Sequence, residues 1–306
     1  MLIASAVIVA EPAVTACVTE TLSAATVNVP LAMLVACVRP DLRQRMQGLL
    51  WLAPLPALAA AFLAVPSPDA ALTFFRQARS RCGPSLTTFE LMARMGIDFT
   101  VRHMHGARDP LDQAYPWYVL VELSSGRSEA DARAELDHLV ETGFGEGTLA
   151  DGVVAESEAQ RQSLWHLREA MSESQIPEGG SIKHDISVPV SAIPAFLDEA
   201  GKAVAAIVPD ARPCPFGHMG DGNLHYNISQ PVGWEKADFL ATTDKITPAV
   251  HAIVRAHHGS ISAEHGIGQM KRDELAEVKS PVALDLMRRI KTAFDPAGIM
   301  NPGKVL

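Results

Sequence analysis

Apolar runs of strand length alternate with capped, amphipathic segments over most of this chain. Residues 57–65 and 117–123 are nearly continuous apolar runs, which predict buried strands. After the first run, Ser67-Pro68-Asp69 supplies a capping hydroxyl, a proline and an acidic residue, and Gly83 follows sixteen residues after the cap. These are the start and stop signals of a helix. The pattern therefore predicts strand and helix in succession from the beginning of this region.

The second half of the chain contains segments of both kinds without a strict strand–helix–strand rhythm. Alternation over residues 223–229 predicts a strand that carries His225 and Asn227 on one face. The other predicted elements are helices over residues 128–143, 156–174, 193–208, 250–257 and 281–294, and strands over residues 182–188 and 212–216. This order predicts an α+β fold: an antiparallel sheet covered by helices, which pack on one face.

Composition narrows the class of protein. The 306 residues are 48% hydrophobic and carry a net charge of −9, which argues against a nucleic acid or an anionic membrane as the partner. The four cysteines are far apart, as in proteins of a reducing compartment, so we expect a cytoplasmic protein, with peripheral membrane attachment left open. Residues 1–48 contain few charges before Arg39, and we treat them as an apolar leader of unknown structure.

Two glycine-framed segments near the C-terminus hold the candidate chemistry. His218 and His225 lie in the segment from Gly217 to His225, and Glu264 precedes His265 and Gly266. Two imidazoles and a carboxylate can bind Zn²⁺ or a similar divalent ion and leave a position open for a substrate oxygen. His265 could then act as the general base. The same three ligands would equally suit a metal-dependent hydrolase that activates water, and this alternative stays open.

Two cations are candidates for binding an acidic substrate. Arg168 lies in the predicted helix over residues 156–174, and Lys183 lies in the predicted strand over residues 182–188. Guanidinium and ammonium groups are the usual partners of a substrate carboxylate. Lys183 is the stronger candidate, since apolar residues flank it in a strand pattern.

The motifs together resemble a known family. The segments 217–225, 262–266, 167–172 and 183–185, with the terminal Asp295-Pro296 and Asn301-Pro302-Gly303-Lys304, are similar to the C-terminal half of FAD-linked oxidases. Within that family the resemblance is to D-2-hydroxyacid dehydrogenases: cytochrome-type D-lactate dehydrogenase, the D subunit of glycolate oxidase and D-2-hydroxyglutarate dehydrogenase. It implies an α+β fold with ferredoxin-like halves and makes residues 49–306 the substrate and metal domain.

The resemblance also implies roles for individual residues. His218, His225 and Glu264 fall on metal ligands, and His265 falls on the catalytic base. Substrate-contacting positions are matched by Arg168, Ser172, Lys183 and Asn227, and we assign Asn223 and Asn301 to cofactor binding. The implied reaction is FAD-dependent oxidation of D-lactate, glycolate or D-2-hydroxyglutarate to the 2-oxo acid, with the electrons passed to a separate acceptor.

The flavin is the point at which the chain departs from the family pattern. The family holds FAD mainly in an N-terminal domain with a glycine-rich phosphate loop, and the glycines of residues 143–147 lack the spacing of such a loop. We therefore expect a truncated product, an accessory subunit inactive on its own, or the substrate half of a split enzyme with a separate flavin-domain subunit. A homodimer is also left open.

Overall fold

The computed structural model describes residues 57–306, and a single antiparallel sheet organises this part of the protein. The predicted leader, residues 1–48, lies outside the described residues. The strands are β1 (Ala57–Val65), β2 (Leu86–Ala93), β3 (Trp117–Ser125), β4 (Asp151–Val154), β5 (Ser181–Ile182), β6 (Asp185–Ser187), β7 (Arg212–His218) and β8 (Asn223–Ser229). Their order in the sheet is β4-β1-β3-β2-β7-β8-β5, and β6 also pairs with β8. All these pairings are antiparallel, which confirms the predicted α+β class.

Ten α-helices lie within the described residues, six of them in connections between strands and four after β8. They are α1 (Pro68–Cys82), α2 (Arg94–His103), α3 (Glu129–Gly145), α4 (Glu158–Glu169), α5 (Met171–Ser174), α6 (Ile193–Ile207), α7 (Lys236–Leu240), α8 (Thr243–Ala256), α9 (Arg272–Val278) and α10 (Pro281–Phe294). Between residues 57 and 306, no helix combines the length and the apolar character that crossing a bilayer requires.

Helices cover both faces of the sheet. Leu63 of β1 packs into a core with residues of α1, α3 and α6, whereas the neighbouring Phe62 packs into a second core with residues of α2 and α4. Successive side chains of a strand point to opposite faces, so a strand between two helical layers is apolar throughout. The prediction of helices on one face is therefore wrong, and the continuous apolar run of β1 is explained by burial on both sides.

Local signals predicted several elements correctly. β1 and β8 have the predicted bounds, and Ser67 caps α1 by accepting a hydrogen bond from the N–H of Ala70. The predicted helix over residues 156–174 is instead divided into α4 and α5. The predicted strand over residues 182–188 is divided into β5 and β6, which keep one register along β8. Neither β2 nor α2 was predicted.

A buried imidazole lies in the break between β5 and β6. His184 Nδ1 is 2.9 Å from the carbonyl oxygen of Tyr226, and Nε2 is 3.1 Å from Thr247 Oγ1. A carbonyl can only accept, so Nδ1 carries the proton and Nε2 accepts from the hydroxyl. Burial lowers the pKa of His184 from the usual 6.5 to about 4. The folded protein therefore holds this ring neutral.

We expect the free energy of unfolding to decrease as the pH falls from about 6.5 to about 4. Unfolded His184 takes up a proton in this range and folded His184 does not, so the stabilisation is complete above pH 6.5 and is lost progressively below it. The two pKa values correspond to roughly 3 kcal/mol. Urea unfolding across this pH range measures the effect. His184→Gln should make the decrease smaller, and a matched change of the exposed His138 should leave it unchanged.

Candidate functional site

The hairpin of β7 and β8 brings two histidines to one end of the sheet. His218 ends β7, and His225 lies opposite Phe216 on β8. The turn between them needs glycine at residue 222, whose φ is +84° and where a Cβ would lie 2.0 Å from the carbonyl oxygen of Val188. Leu224, on the opposite face of β8 from His225, is buried in the core, which confirms the predicted alternation.

Both histidines approach the Glu264 carboxylate. His218 Nε2 is 3.3 Å from Glu264 Oε1, and His225 Nε2 is 3.8 Å from Glu264 Oε2. Donor atoms of a tetrahedral zinc ion, with bonds of about 2.0–2.2 Å, lie about 3.3–3.6 Å apart. The His218 distance falls in this range, whereas the His225 distance is longer and runs to the other oxygen of the same carboxylate. The three predicted ligands therefore face one another without forming a compact donor set.

The compact group of possible metal donors within residues 57–306 is a different one, which shares only His225 with the predicted set. One ligand atom from each of Asp185, His225 and His265 can be chosen so that all lie within 4.8 Å of one another. His265 is mostly exposed, and its ring centroid is 5.9 Å from that of His225. The predicted base therefore lies beside a predicted ligand, at the open side of the site.

Glu90, in the middle of β2, joins His218 to Arg168, the predicted substrate cation. Its side chain is buried, and its two oxygens accept hydrogen bonds from different partners: Nδ1 of His218, and Nε of Arg168 at 2.6 Å. The guanidinium of Arg168 also lies 4.9 Å from the centroid of the Phe216 ring. A carboxylate on the far nitrogen of a metal-binding histidine fixes the tautomer and leaves the other nitrogen free for the ion.

Sequence reasoning did not identify Glu90 or assign a role to Asp185. The available signal for Glu90 was a single carboxylate between Phe89 and Leu91 in an apolar segment, since a buried acid needs a partner. Asp185 stands in the motif at residues 183–185 that carried the family resemblance, but no pattern indicated what it contacts. Both acids are more than 95% buried.

The electrostatics of the site favour bound positive charge. Burial raises the pKa of Glu90, but the hydrogen bond from His218 and the charge of Arg168 outweigh it and hold that pKa below its usual value. The same contact raises the pKa of His218, whereas burial and the nearby Arg168 lower the pKa of His225. Three carboxylates, those of Glu90, Asp185 and Glu264, surround the histidines, whereas the nearby cations are Arg168, which pairs with Glu90, and Lys271, whose charge interacts with Asp185. A divalent cation would balance this excess of negative charge.

The remaining predicted residues divide into two groups. Asn223 is buried, and its Nδ2 donates to Glu264 Oε1 at 2.5 Å; Asn227 is buried on the same face of β8 as His225. Ser172, Lys183 and Asn301 are exposed. Lys183 lies in the break between β5 and β6 and not inside a strand, because the strand predicted there is interrupted. The contacts of these residues with substrate or cofactor stay predictions.

Comparison with known proteins adds the family context. The family described as FAD linked oxidases, C-terminal domain, matches residues 56–305. The D-2-hydroxyglutarate dehydrogenase of Xanthomonas citri pv. viticola is 36% identical over 252 residues, covering 82% of this chain and 52% of the relative. The enzyme of the same name from Stutzerimonas stutzeri is 40% identical over 225 residues, 72% of this chain and 47% of the relative. The chain thus spans about half the length of these curated relatives.

A solved structure shares the fold. The crystal structure of p-cresol methylhydroxylase with substrate bound matches with a TM-score of 0.55 at 11% identity, over 82% of this chain and 53% of that chain. At this identity the similarity concerns the fold alone, which is that of an antiparallel sheet with helices.

Proposed function

This chain belongs to the family of FAD linked oxidases, C-terminal domain, and from this premise we propose that it is the substrate- and metal-binding part of an FAD-dependent enzyme that oxidises a D-2-hydroxy acid to the 2-oxo acid. D-2-Hydroxyglutarate is the first candidate substrate, because it is named in the relatives, with D-lactate and glycolate as the others. One observation carries the proposal: His218 and His225 both approach the Glu264 carboxylate, at 3.3 and 3.8 Å, and the His265 ring lies beside that of His225.

The donor set suits a divalent cation, for which zinc is our assignment. Nitrogen and carboxylate ligands are those zinc prefers, and a three-residue set leaves room for the substrate. Glu90 supports the assignment, since it occupies Nδ1 of His218 and thereby directs Nε2 toward Glu264. When bound, the cation would polarise the hydroxyl and carboxylate of the substrate, and FAD would take up the hydride from C2.

The protein's own groups bind the substrate and move its proton. His265 accepts the hydroxyl proton at a ring nitrogen, and its exposure leaves it accessible from the open side of the site. Arg168 attracts the substrate carboxylate, while Glu90 keeps its guanidinium in place. Ser172, Lys183 and Asn227 are the further candidates for substrate contacts.

The flavin would approach from the solvent side of this site. About 47% of the Glu264 side chain and 66% of the His265 side chain are exposed, so the reacting groups face outward and not into the core. We assign most of the FAD contacts to a flavin-binding region that closes over this face, either in the same polypeptide or in a separate subunit. Asn223 and Asn301 are our candidates for contacts with the cofactor from this chain.

Metal analysis of the purified full chain tests the proposal. We expect about one equivalent of zinc per chain, lost in His225→Ala and retained in His138→Ala, a matched change of an exposed histidine on α3. Dye reduction by the chain compares D-2-hydroxyglutarate, D-lactate and glycolate as substrates. The assay contains added FAD and, as a second polypeptide, the part of the Xanthomonas citri relative that this chain does not span. A chain without stoichiometric metal, or one with flavin-free, chelator-sensitive hydrolysis, would refute it; the latter would favour the hydrolase.

A further inference from the structure

Asp185 lies directly beneath the loop that carries Glu264 and His265. Its Oδ2 accepts hydrogen bonds from three consecutive backbone N–H groups, those of Ala263, Glu264 and His265, at 3.1, 2.9 and 2.9 Å. The Asp185 side chain is only 2% exposed, whereas the side chains of Glu264 and His265 are 47% and 66% exposed. An exposed loop segment is therefore held by one buried carboxylate.

The second oxygen of Asp185 faces the neighbouring strand. Oδ1 is buried, has no hydrogen-bond partner in the described part of the chain, and lies 4.0 Å from Nδ1 of His225. Asp185 also pairs with His225 across β6 and β8, so the backbone fixes this approach. A small rotation of the imidazole would bring Nδ1–H within hydrogen-bonding distance of Oδ1, and Nε2 would then be free to face Glu264.

These contacts argue against Asp185 as a direct metal ligand, although it belongs to the donor group with His225 and His265. A carboxylate oxygen that already accepts three N–H bonds has no lone pair left for an ion. The three N–H groups converge on it as a backbone nest converges on an anion. The unpartnered oxygen, Oδ1, lies 4.0 Å from Nδ1 of His225.

We propose that Asp185 is a positioning residue that aligns three groups of the site: Glu264 and His265 through the backbone of their loop, and His225 through its Nδ1. The functional roles of those three residues rest on the proposed function. The mechanical part of the inference, that this carboxylate immobilises residues 263–265, is independent of it. Asp185 thus orients His225 and the loop, just as Glu90 orients His218 and Arg168.

Amide hydrogen exchange of the full chain tests the mechanical part. We expect the amides of residues 263–265 to exchange slowly in the wild-type protein despite their exposed loop. In Asp185→Asn, which keeps the size but loses the charge and presents an amide to the loop, their exchange should be faster by about 10–100-fold. Glu90→Gln is the matched control, because it alters the other buried carboxylate without touching this loop. Asp198→Asn controls for an exposed aspartate.

Zinc affinity of the same variants tests the positioning part. We expect about 10–100-fold weaker binding in Asp185→Asn, as for other groups that orient a metal ligand. Glu90→Gln should weaken zinc binding while residues 263–265 stay protected, so only Asp185→Asn combines both losses. Circular dichroism establishes that each variant is folded. If Asp185→Asn does not fold, the wild-type exchange decides the matter, since fast exchange at residues 263–265 overturns the proposal and three protected amides there support it.

Three results of these experiments would overturn the inference, its positioning role or the proposed function. Equal exchange of residues 263–265 in the wild type and in Asp185→Asn overturns the inference. Faster exchange with unchanged zinc affinity overturns the positioning role. If the wild-type chain binds no zinc, the proposed function fails, and the exchange data still decide whether Asp185 holds the loop.

Discussion

Replacing His265 with alanine should lower the turnover of a D-2-hydroxy acid by about 10²–10⁴-fold, the usual contribution of a general base. The imidazole lies beside His225 at the open side of the site, where a substrate hydroxyl can reach it. His265 is not among the three proposed metal ligands, so zinc content should stay at the wild-type level. Lower turnover with unchanged zinc content would identify His265 as a base and not as a metal ligand.

The measurement is dye reduction by the flavin-loaded enzyme, combined with metal analysis of the same sample. A matched His138→Ala change, on α3, should alter neither quantity. Unchanged turnover in His265→Ala would end the assignment of the base. Loss of zinc together with turnover would instead make His265 a ligand, as in the alternative donor group with Asp185 and His225.

Glu90→Ala should have the largest effect on stability, about 3–5 kcal/mol in the free energy of unfolding. The substitution removes the partner of Arg168, whose guanidinium is held under the sheet with only 10% of the side chain exposed. An uncompensated buried charge is the physical cause. His218 also loses the acceptor for its Nδ1–H, so zinc binding should weaken by about 10–100-fold.

Urea unfolding and zinc titration measure the two effects of Glu90→Ala separately. Glu158→Ala is the control for stability: this exposed acid pairs with Arg161 on the surface of α4, and its loss should change the free energy of unfolding far less than Glu90→Ala does. The double change Glu90→Leu with Arg168→Met should recover most of the stability but not the zinc affinity. A Glu90→Ala protein as stable as the wild type would contradict the buried pair.

Much of the fold was readable from local sequence. The cap at Ser67, the glycine at residue 83 and the apolar run of β1 act over a few neighbouring residues, so they predict boundaries without knowledge of the rest of the chain. β2 was not predicted because its burial increases along its length, from partly buried at Leu86 to fully buried at Met92, and its sequence matches no single periodic pattern.

The candidate site, like the fold, could be predicted from the sequence only in part. Glycine-framed histidines and the adjacent Glu264-His265 pair stand out in the sequence because chemistry-bearing residues and turn residues occur together there. Lys183 illustrates the limit of such patterns. It stands within a strand-like pattern, but the strand is interrupted at Lys183 and the side chain is exposed.

The sequence by itself determined the family resemblance, the sheet-and-helix composition and the residue types available for metal and proton chemistry, since these depend on local order along the chain. Only the tertiary structure decided which buried acids hold the residues of the candidate site in place. Glu90 meets Arg168 and His218 across 78 and 128 residues, and Asp185 meets the loop at residues 263–265 across about 80. Contacts at such separations arise from strand pairing and layer packing, which no local pattern encodes.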